Sequence, residues 1–136
     1  MSAFTDSELG YLGERVPGRL ARIATVGKDG TPHVVPVGWR FNRELETIDV
    51  GGMNFAETKK FRDVRRSGRA SIVIDELVST DPWQPRGIEI RGRASAIDGE
   101  RALIRIHPER IVSWGLESED FTQRHARNVV QSGSGT

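Results

Sequence analysis

The chain has 136 residues, of which 36% are hydrophobic and 29% charged, and its formal net charge is +1. This length predicts one domain with one core, which we assign to residues 1–131, followed by a flexible tail at 132–136. The small net charge argues against nucleic-acid or membrane partners. The absence of cysteine excludes disulfides, thiolate metal sites and a cysteine nucleophile, and it fits a cytoplasmic location. The first residues also lack the apolar run of a signal peptide.

The first half of the chain alternates between helix and strand signals. Thr5 and Glu8 have the spacing of a capping box and predict a helix that Pro17-Gly18 ends. Two β-type runs flank the turn 27–30 and predict a hairpin. The second run, from His33 to Phe41, contains Pro36. Because proline has no backbone donor, we expect this strand to lie at an edge or to be bulged.

Short strands dominate the remainder. In chain order we predict a strand at Thr47–Gly51, a helix at Ala56–Ser67, a strand at Arg69–Leu77, an irregular loop at Val78–Arg86, a strand at Gly87–Ile97, two short strands at Leu103–Ile106 and Arg110–Trp114 broken by His107-Pro108, and a terminal helix at Glu117–Val130. Six or seven short strands with few helices predict a mainly β fold, an antiparallel β-barrel with short flanking helices. A barrel this small leaves little room inside, so we expect a site on its outside or at a subunit interface.

The segment 51–60 combines two features that bind anions. Gly51-Gly52 lets the backbone approach a bound group, and the helix that follows offers unpaired N–H groups at its start. Thr58 adds a hydroxyl, and Lys59 and Lys60 add charge, so together they form a plausible phosphate cradle. The spacing of a P-loop is absent. The alternative is that these residues belong to the solvated basic face of an amphipathic helix.

For Trp83 and His33, the sequence leaves two alternative roles open. Trp83, beside Gln84 and Arg86, either covers a planar ligand or pins its loop onto the barrel. His33 either faces a ligand or is an exposed strand residue. The three histidines have no metal-ligand spacing, so we predict no metal site. No acyl-transfer or Rossmann motif is present.

Four stretches together carry a family resemblance: DGTPHVVPV, TKKFRDVRR, PRGIEIRG and VSWG. The chain resembles the flavin and deazaflavin oxidoreductases of the split β-barrel superfamily, which includes pyridoxamine 5′-phosphate oxidase, and within it the actinobacterial branch that uses coenzyme F420. The resemblance extends from Phe4 to Gly115. It implies a split β-barrel and a homodimer with two cofactor sites at the subunit interface.

The resemblance also implies a reaction and a set of site residues. The reaction is hydride transfer from reduced coenzyme F420 to an unsaturated or quinone-like small molecule. FMN is the alternative cofactor, and a deazaflavin-binding carrier without turnover is the alternative function. No catalytic residue is identified. The role of proton donor stays open between His33 and a bound water. The implied cofactor-binding residues are His33, Val34, Val35, Pro36, Val37, Gly51, Gly52, Met53, Asn54, Thr58, Lys59, Lys60, Trp83, Gln84 and Arg86.

Overall fold

The computed structural model describes residues 2–14, 16–17, 19–117 and 123–130. These residues form two helices, one 3-10 turn and eight strands of a single sheet. The elements, in chain order, are α1 (Asp6–Gly13), β1 (Leu20–Val26), β2 (Pro32–Val37), β3 (Trp39–Asn42), β4 (Thr47–Gly51), the 3-10 turn (Phe55–Glu57), α2 (Lys59–Ser67), β5 (Arg69–Thr80), β6 (Trp83–Ile97), β7 (Leu103–Trp114) and β8 (Arg124–Asn128).

Seven strands form a path in the order β2-β1-β5-β6-β7-β4-β3, and β8 pairs with the outer part of β7. Every pairing is antiparallel. The two strands at the ends of this path, β2 and β3, are separated in the chain by Gly38 alone. The sheet must therefore roll until its two edges are neighbours. This confirms the predicted fold class, a mainly β split barrel with short flanking helices.

The interior of the rolled sheet is filled by isoleucine. Nine isoleucines from five strands are each at most 1% exposed, namely Ile23, Ile48, Ile72, Ile74, Ile88, Ile90, Ile104, Ile106 and Ile111. They alternate with outward-facing residues, as a half-buried strand requires. Helix α2 packs against β1 and β6 and buries Phe61 and Val64.

Several local predictions are confirmed. Thr5 and Glu8 form both hydrogen bonds of the capping box. The turn at 27–30 closes a β1–β2 hairpin, with the N–H of Gly27 bonded to the carbonyl of Thr31 at 2.8 Å. Pro36 lies in β2, the outermost strand at one end of the sheet path. Its missing backbone N–H therefore costs no hydrogen bond between strands.

The predicted loop at Val78–Arg86 is wrong. β5 and β6 continue through it as a hairpin that pairs Thr80 with Trp83 and turns at 81–82. This ribbon extends beyond its neighbours, because β1 pairs with β5 only as far as Asp75. The prolines that suggested a loop are tolerated, since Pro85 lies beside a register shift and has no second neighbour that needs its N–H.

The break predicted at His107-Pro108 is also wrong, since β7 runs through both residues. The ladder absorbs the proline with a bulge between Arg91 and Gly92 of β6. An added Cβ on Gly92 would lie 1.9 Å from the carbonyl oxygen of His107. Glycine therefore lets the two backbones approach at the bulge.

The predicted terminal helix at Glu117–Val130 is wrong where the structure describes it, because Arg124–Asn128 is strand β8. Its alternating side chains include Arg127, which turns inward to α1. Residues 118–122 and the predicted tail at 132–136 lie outside the described residues. The helix predicted from Ala56 begins only at Lys59, after the 3-10 turn, and the strand predicted from His33 to Phe41 is interrupted at Gly38. No helix in the described ranges is long and apolar enough to span a membrane.

Candidate functional site

Thr58 sets the start of helix α2. Its hydroxyl accepts the N–H of Phe61 at 3.3 Å and donates to the carbonyl of Phe55 at 2.7 Å. Threonine is favoured at this position because it satisfies a donor that the helix leaves open. The hydroxyl is thus already occupied as a helix cap, and the remaining donors at this corner are cationic side chains and backbone N–H groups.

Three cations surround the start of α2. The Nζ of Lys59 lies 3.5 Å from a carboxylate oxygen of Asp63, and the Nζ of Lys60 lies 5.1 Å from the centroid of the Phe55 ring. Arg62 donates to the carbonyl of Glu57 at 2.8 Å. The first N–H groups of a helix have no carbonyl one turn back, and its dipole is positive there. The corner is therefore suited to an anion.

Asp63 fastens this corner to the barrel. Its side chain is buried and accepts from Thr25 of β1 at 3.0 Å and from Arg66 at 3.1 Å. Burial pushes the pKa of Asp63 upward, but the hydrogen bonds from Arg66 and Thr25 and the charge of Lys59 outweigh it, so the pKa lies below its ordinary value of 3.8. The ionised carboxylate holds Lys59 on the side of the helix that faces β1.

The structure brings His33 of β2 together with the α2 corner. His33 and Lys59 line one groove of about 640 Å³, whose other walls come from the β1–β2 turn. His33 pairs with Thr25 in the ladder, and Thr25 in turn bonds Asp63. An added Cβ on Gly27 would lie 2.7 Å from the Nε2 of His33, so the imidazole rests on the turn.

The rest of β2 is accessible. Val34 is 66% exposed, and Val35 and Pro36 are exposed as well, while Val37 is half-buried and packs against the core. As an end strand, β2 also leaves the polar groups of one backbone edge without a ladder partner in the described chain. The predicted ring-binding strand therefore offers both apolar side chains and backbone hydrogen-bonding groups.

The predicted residues after β4 border a second groove. Gly51, Gly52 and Asn54 line a groove of about 730 Å³ between the β2–β3 connection and the loop that precedes β7. Met53 is exposed, and Asn54 has a φ of 50° and introduces the 3-10 turn. This loop joins the second groove to the α2 corner through Phe55.

Trp83, Gln84 and Arg86 lie elsewhere in the protomer. They begin β6, opposite the end of β5, whereas the α2 corner adjoins Thr25 at the other end of that strand. The nine intervals between Ser71 and Thr80, at about 3.3 Å each, correspond to about 30 Å of strand. Trp83, which pairs with Thr80, is therefore remote from the α2 corner of its own protomer, whereas Arg86, which pairs with Glu76, lies nearer to it along the hairpin.

Arg86 also has partners in its own chain. Its Nε donates to Glu76 at 2.9 Å, and Glu76 also accepts from the buried Arg19. Burial pushes the pKa of Glu76 upward, but the hydrogen bonds from Arg19 and Arg86 outweigh it and keep the pKa low. Arg86 is thus part of an ion network beside α1, whereas Trp83 is 65% exposed.

Sequence reasoning missed the second groove as a unit. Gly38 and Arg40 lie at the junction of β2 and β3, whereas Arg101 lies in the connection between β6 and β7, and no local spacing relates the two segments. The available signal was the glycine content of these connections, which becomes informative only once the sheet order places them side by side.

A rolled antiparallel sheet whose edge strand lies beside a cationic helix start defines a split-barrel protein with a cationic corner on its outside. A family model described as pyridoxamine 5′-phosphate oxidase matches residues 18–131. The chain belongs to the pyridoxamine 5′-phosphate oxidase family, which confirms the resemblance carried by its motifs.

Known proteins similar to this chain agree with that assignment. It is 38% identical over 141 residues, covering 97% of each chain, to the 5a,11a-dehydrotetracycline/5a,11a-dehydrooxytetracycline reductase of Streptomyces rimosus. A conserved hypothetical protein from Mycobacterium tuberculosis has the same fold, with a TM-score of 0.67, 17% identity and coverage of 98% of this chain and 95% of that one. A solved F420 reductase matches with a TM-score of 0.54, 15% identity and coverage of 68% and 88%. The family and the reductase relative support an oxidoreductase that acts on a small molecule.

Proposed function

We propose that this protein is a homodimeric reductase that uses reduced coenzyme F420 to reduce an unsaturated or quinone-like small molecule. One observation carries the proposal. The cationic start of α2 and the exposed strand β2 meet in a single groove, through Lys59 and His33. That arrangement offers charge for a phosphate beside backbone and apolar surface for a flat ring. The cytoplasmic location inferred from the cysteine-free sequence is part of the same proposal.

The donors at the α2 corner fit a phosphate. Lys59 and Lys60 each supply an ammonium group, and their backbone N–H groups stand at the open end of the helix. Lys60 is held near the corner by the Phe55 ring, and Lys59 by Asp63, so neither must be ordered from a fully free state. Thr58 contributes by holding the helix start in place.

Strand β2 would hold the ring system. Its unpaired backbone edge would bond the polar edge of the ring, and Val34 and Val35, which project to opposite faces of the strand, would border the ring from either side. Gly51 to Asn54 would flank the linker to the phosphate. When bound, the reduced cofactor supplies a hydride, and the acceptor takes up a proton as well. Holding donor and acceptor in contact is the chain's own contribution to rate. His33 is itself a residue of this strand, and either His33 or a bound water would serve as the proton donor, so no single residue is assigned that role.

A second copy would complete each site. The hairpin of β5 and β6 projects beyond the barrel, and it exposes Leu77, Val78 and Trp83. A two-stranded ribbon is marginally stable by itself, and an exposed apolar patch marks a contact surface. Docking of this hairpin on another protomer would bury the patch and would bring Trp83 and Gln84 to that protomer's β2. Arg86 would keep its place in the Glu76 network at the hairpin base.

Charge beyond the phosphate corner favours the deazaflavin over FMN. Coenzyme F420 carries an acidic oligoglutamate tail, which FMN lacks. Arg62 is exposed on α2, and within the described residues its side chain makes one hydrogen bond, to the backbone carbonyl of Glu57. Arg66 is less available to a ligand, since it donates hydrogen bonds to both Asp63 and the carbonyl of Val26. Arg62 is accordingly the better candidate for the tail, by screened attraction at the surface.

Replacing Lys60 with alanine is expected to weaken binding of coenzyme F420 by about 1.5–3 kcal/mol, because a charge-assisted hydrogen bond is lost. That corresponds to roughly a 10- to 150-fold rise in Kd. Fluorescence titration of the purified protein measures it. Arg65→Ala is the matched control, since Arg65 lies on the same helix but pairs with Asp98 away from the corner, and its Kd should change less than about twofold.

The same titrations separate the alternatives. Tighter binding of FMN than of coenzyme F420 would favour the flavin enzyme of the same fold. Tight binding of reduced coenzyme F420, with no oxidation of it by a panel of enones and quinones, would favour the carrier. Equal affinity of wild type and Lys60→Ala would remove Lys60 from the site.

A further inference from the structure

A groove of about 580 Å³ lies between helix α1 and strand β3, and its volume is within the usual range of small-molecule sites, about 300–1,000 Å³. One wall is the end of α1 with the residues that follow it, and the other wall is β3. We call it the β3 groove. Of the described residues that line it, none is among those proposed to bind the cofactor. A ligand in this groove would therefore leave the α2 corner free.

The lining of the β3 groove is largely apolar and aromatic. Trp39 and Phe41 of β3 are half-buried and pack against the core, and Leu12 of α1 is buried. The ring of Phe41 is held by Phe4, which meets it edge-on with 5.5 Å between the ring centroids. Side chains that are already ordered lose little freedom when a ligand binds. This lining suits an apolar or aromatic molecule.

The charge at the margin of the groove is positive. Arg40 and Arg43 line it, are exposed, and take part in none of the salt bridges in the described part of the chain. Among the described lining residues, the carboxylate is that of Glu14, which pairs with Arg19 at 3.1 Å. Arg19 is buried and also bonds Glu76. Two guanidinium groups are therefore left for an anionic ligand.

The end of α1 holds Arg43 without neutralising it. An added Cβ on Gly13, the last residue of α1, would lie 2.3 Å from a terminal nitrogen of Arg43, so the guanidinium rests against the helix. The last carbonyl groups of a helix lack donors from a following turn, and the helix dipole is negative there. This end attracts a cation but supplies no carboxylate, so the charge of Arg43 remains available to a ligand.

The groove follows the edge of β3. Residues 39–41 all line it, although consecutive side chains of a strand point to alternate faces. β3 ends the sheet path, so this edge has no ladder partner in the described chain. A peptide strand is a poor occupant, because β3 has only four residues and short edge strands are weak templates for pairing. A small molecule with an acidic group matches both the apolar lining and the arginines.

We propose that the β3 groove binds a small aromatic or apolar acid, a carboxylate or phenolate. Its anionic oxygens meet Arg43 and Arg40, and its apolar part lies on Trp39 and Phe41. Guanidinium groups bind carboxylates through short, charge-assisted hydrogen bonds. The affinity of the groove should therefore depend on the charge of the ligand as well as on its apolar surface. This site goes beyond the proposed function and does not depend on it.

The probes are 2-naphthoate and the neutral 2-naphthamide, which share a fused aromatic ring system and differ in charge. Equilibrium dialysis measures their Kd values for wild type, Arg43→Gln and the double variant Arg40→Gln/Arg43→Gln. We expect naphthoate binding to weaken about fivefold in the single variant and at least about tenfold in the double variant. The Kd of naphthamide should change less than about twofold. Arg93→Gln, at an exposed position on β6 outside the groove, is the matched control and should bind both probes as wild type does.

Several outcomes would overturn the proposal. They are equal wild-type affinity for naphthoate and naphthamide, an unchanged naphthoate Kd in the double variant, an equal loss in Arg93→Gln, and no wild-type binding at about 5 mM. Unfolding curves show that the variants are folded. Saturating coenzyme F420 should change the naphthoate Kd less than about twofold, whereas full competition would place naphthoate in the cofactor site and also overturn the proposal. If naphthoate binds through the two arginines but coenzyme F420 does not bind, the β3 groove is upheld and the proposed function fails.

Discussion

Replacing Arg127 with methionine is expected to lower the free energy of unfolding by about 3–5 kcal/mol, because it leaves a buried carboxylate without its charge partner. That carboxylate belongs to Glu8, which is 0% exposed. Glu8 accepts two hydrogen bonds from Arg127, one of them at 3.1 Å, and one from Ser113 at 2.6 Å. Arg127 also bonds the carbonyl of Ala3, so the pair fastens β8 to the N-terminal segment. Urea denaturation followed by circular dichroism measures the loss.

The dependence on pH identifies the cause. Burial pushes the pKa of Glu8 upward, but the Arg127 and Ser113 hydrogen bonds outweigh it and hold the pKa below its ordinary value of 4.5. A carboxyl with a lowered pKa stabilises the fold above its unfolded pKa, and this contribution is lost as pH falls through the folded pKa. The gap between wild type and Arg127→Met should therefore be largest at neutral pH and should narrow below pH 4.5.

A double variant that also removes the unpaired charge of Glu8 is the control. Adding Glu8→Gln to Arg127→Met leaves a neutral side chain that still accepts from Ser113, so the double variant should recover part of the lost stability. A loss below about 1 kcal/mol in Arg127→Met, or a gap that does not change with pH, would show that the pair contributes no more than an exposed salt bridge.

Replacing Gly92 with alanine is expected to destabilise the protein by about 3 kcal/mol, at the upper end of the cost of overpacking. The Cβ would lie 1.9 Å from the carbonyl oxygen of His107 and 3.0 Å from the backbone nitrogen of Glu109. Both are backbone atoms of the paired strand, so no side chain can rotate away. The bulge that admits Pro108 into β7 would have to open, and urea midpoints measure the consequence.

Gly10→Ala is the matched control for this substitution. Gly10 lies on an exposed face of α1, and a Cβ there meets no atom within 4 Å. Alanine is the better helix former by about 0.8–1.0 kcal/mol, so the control should be stabilised. If Gly92→Ala and Gly10→Ala shifted stability equally, the close backbone approach at the bulge would not be a real constraint.

The sequence predicted those elements whose signals act over a few residues. The Thr5–Glu8 capping box and the turn at 27–30 each depend on near neighbours, and each is confirmed. Pro36 indicated an edge strand because a missing N–H is harmless only where no ladder bond is needed. The family could also be predicted, since its motifs are contiguous stretches of sequence.

Two of the wrong predictions share a cause. Pro82 and Pro85 suggested a loop, and His107-Pro108 a break, because proline disrupts a strand that has neighbours on both sides. A ribbon that extends past its neighbours and a bulge opposite Gly92 removed that conflict. Arg124–Asn128 is a strand because β7 offers it a ladder.

The sequence by itself determined the β-rich class, the local turns and caps, and the cationic character of Thr58 to Lys60. The tertiary structure decided what these residues meet: His33 beside Lys59, Glu8 paired with a residue 119 positions away, and four glycines lining one groove. Propensity and capping depend on bonds within a turn or two of chain, whereas these juxtapositions depend on the order and register of strands remote in sequence, which no local pattern encodes.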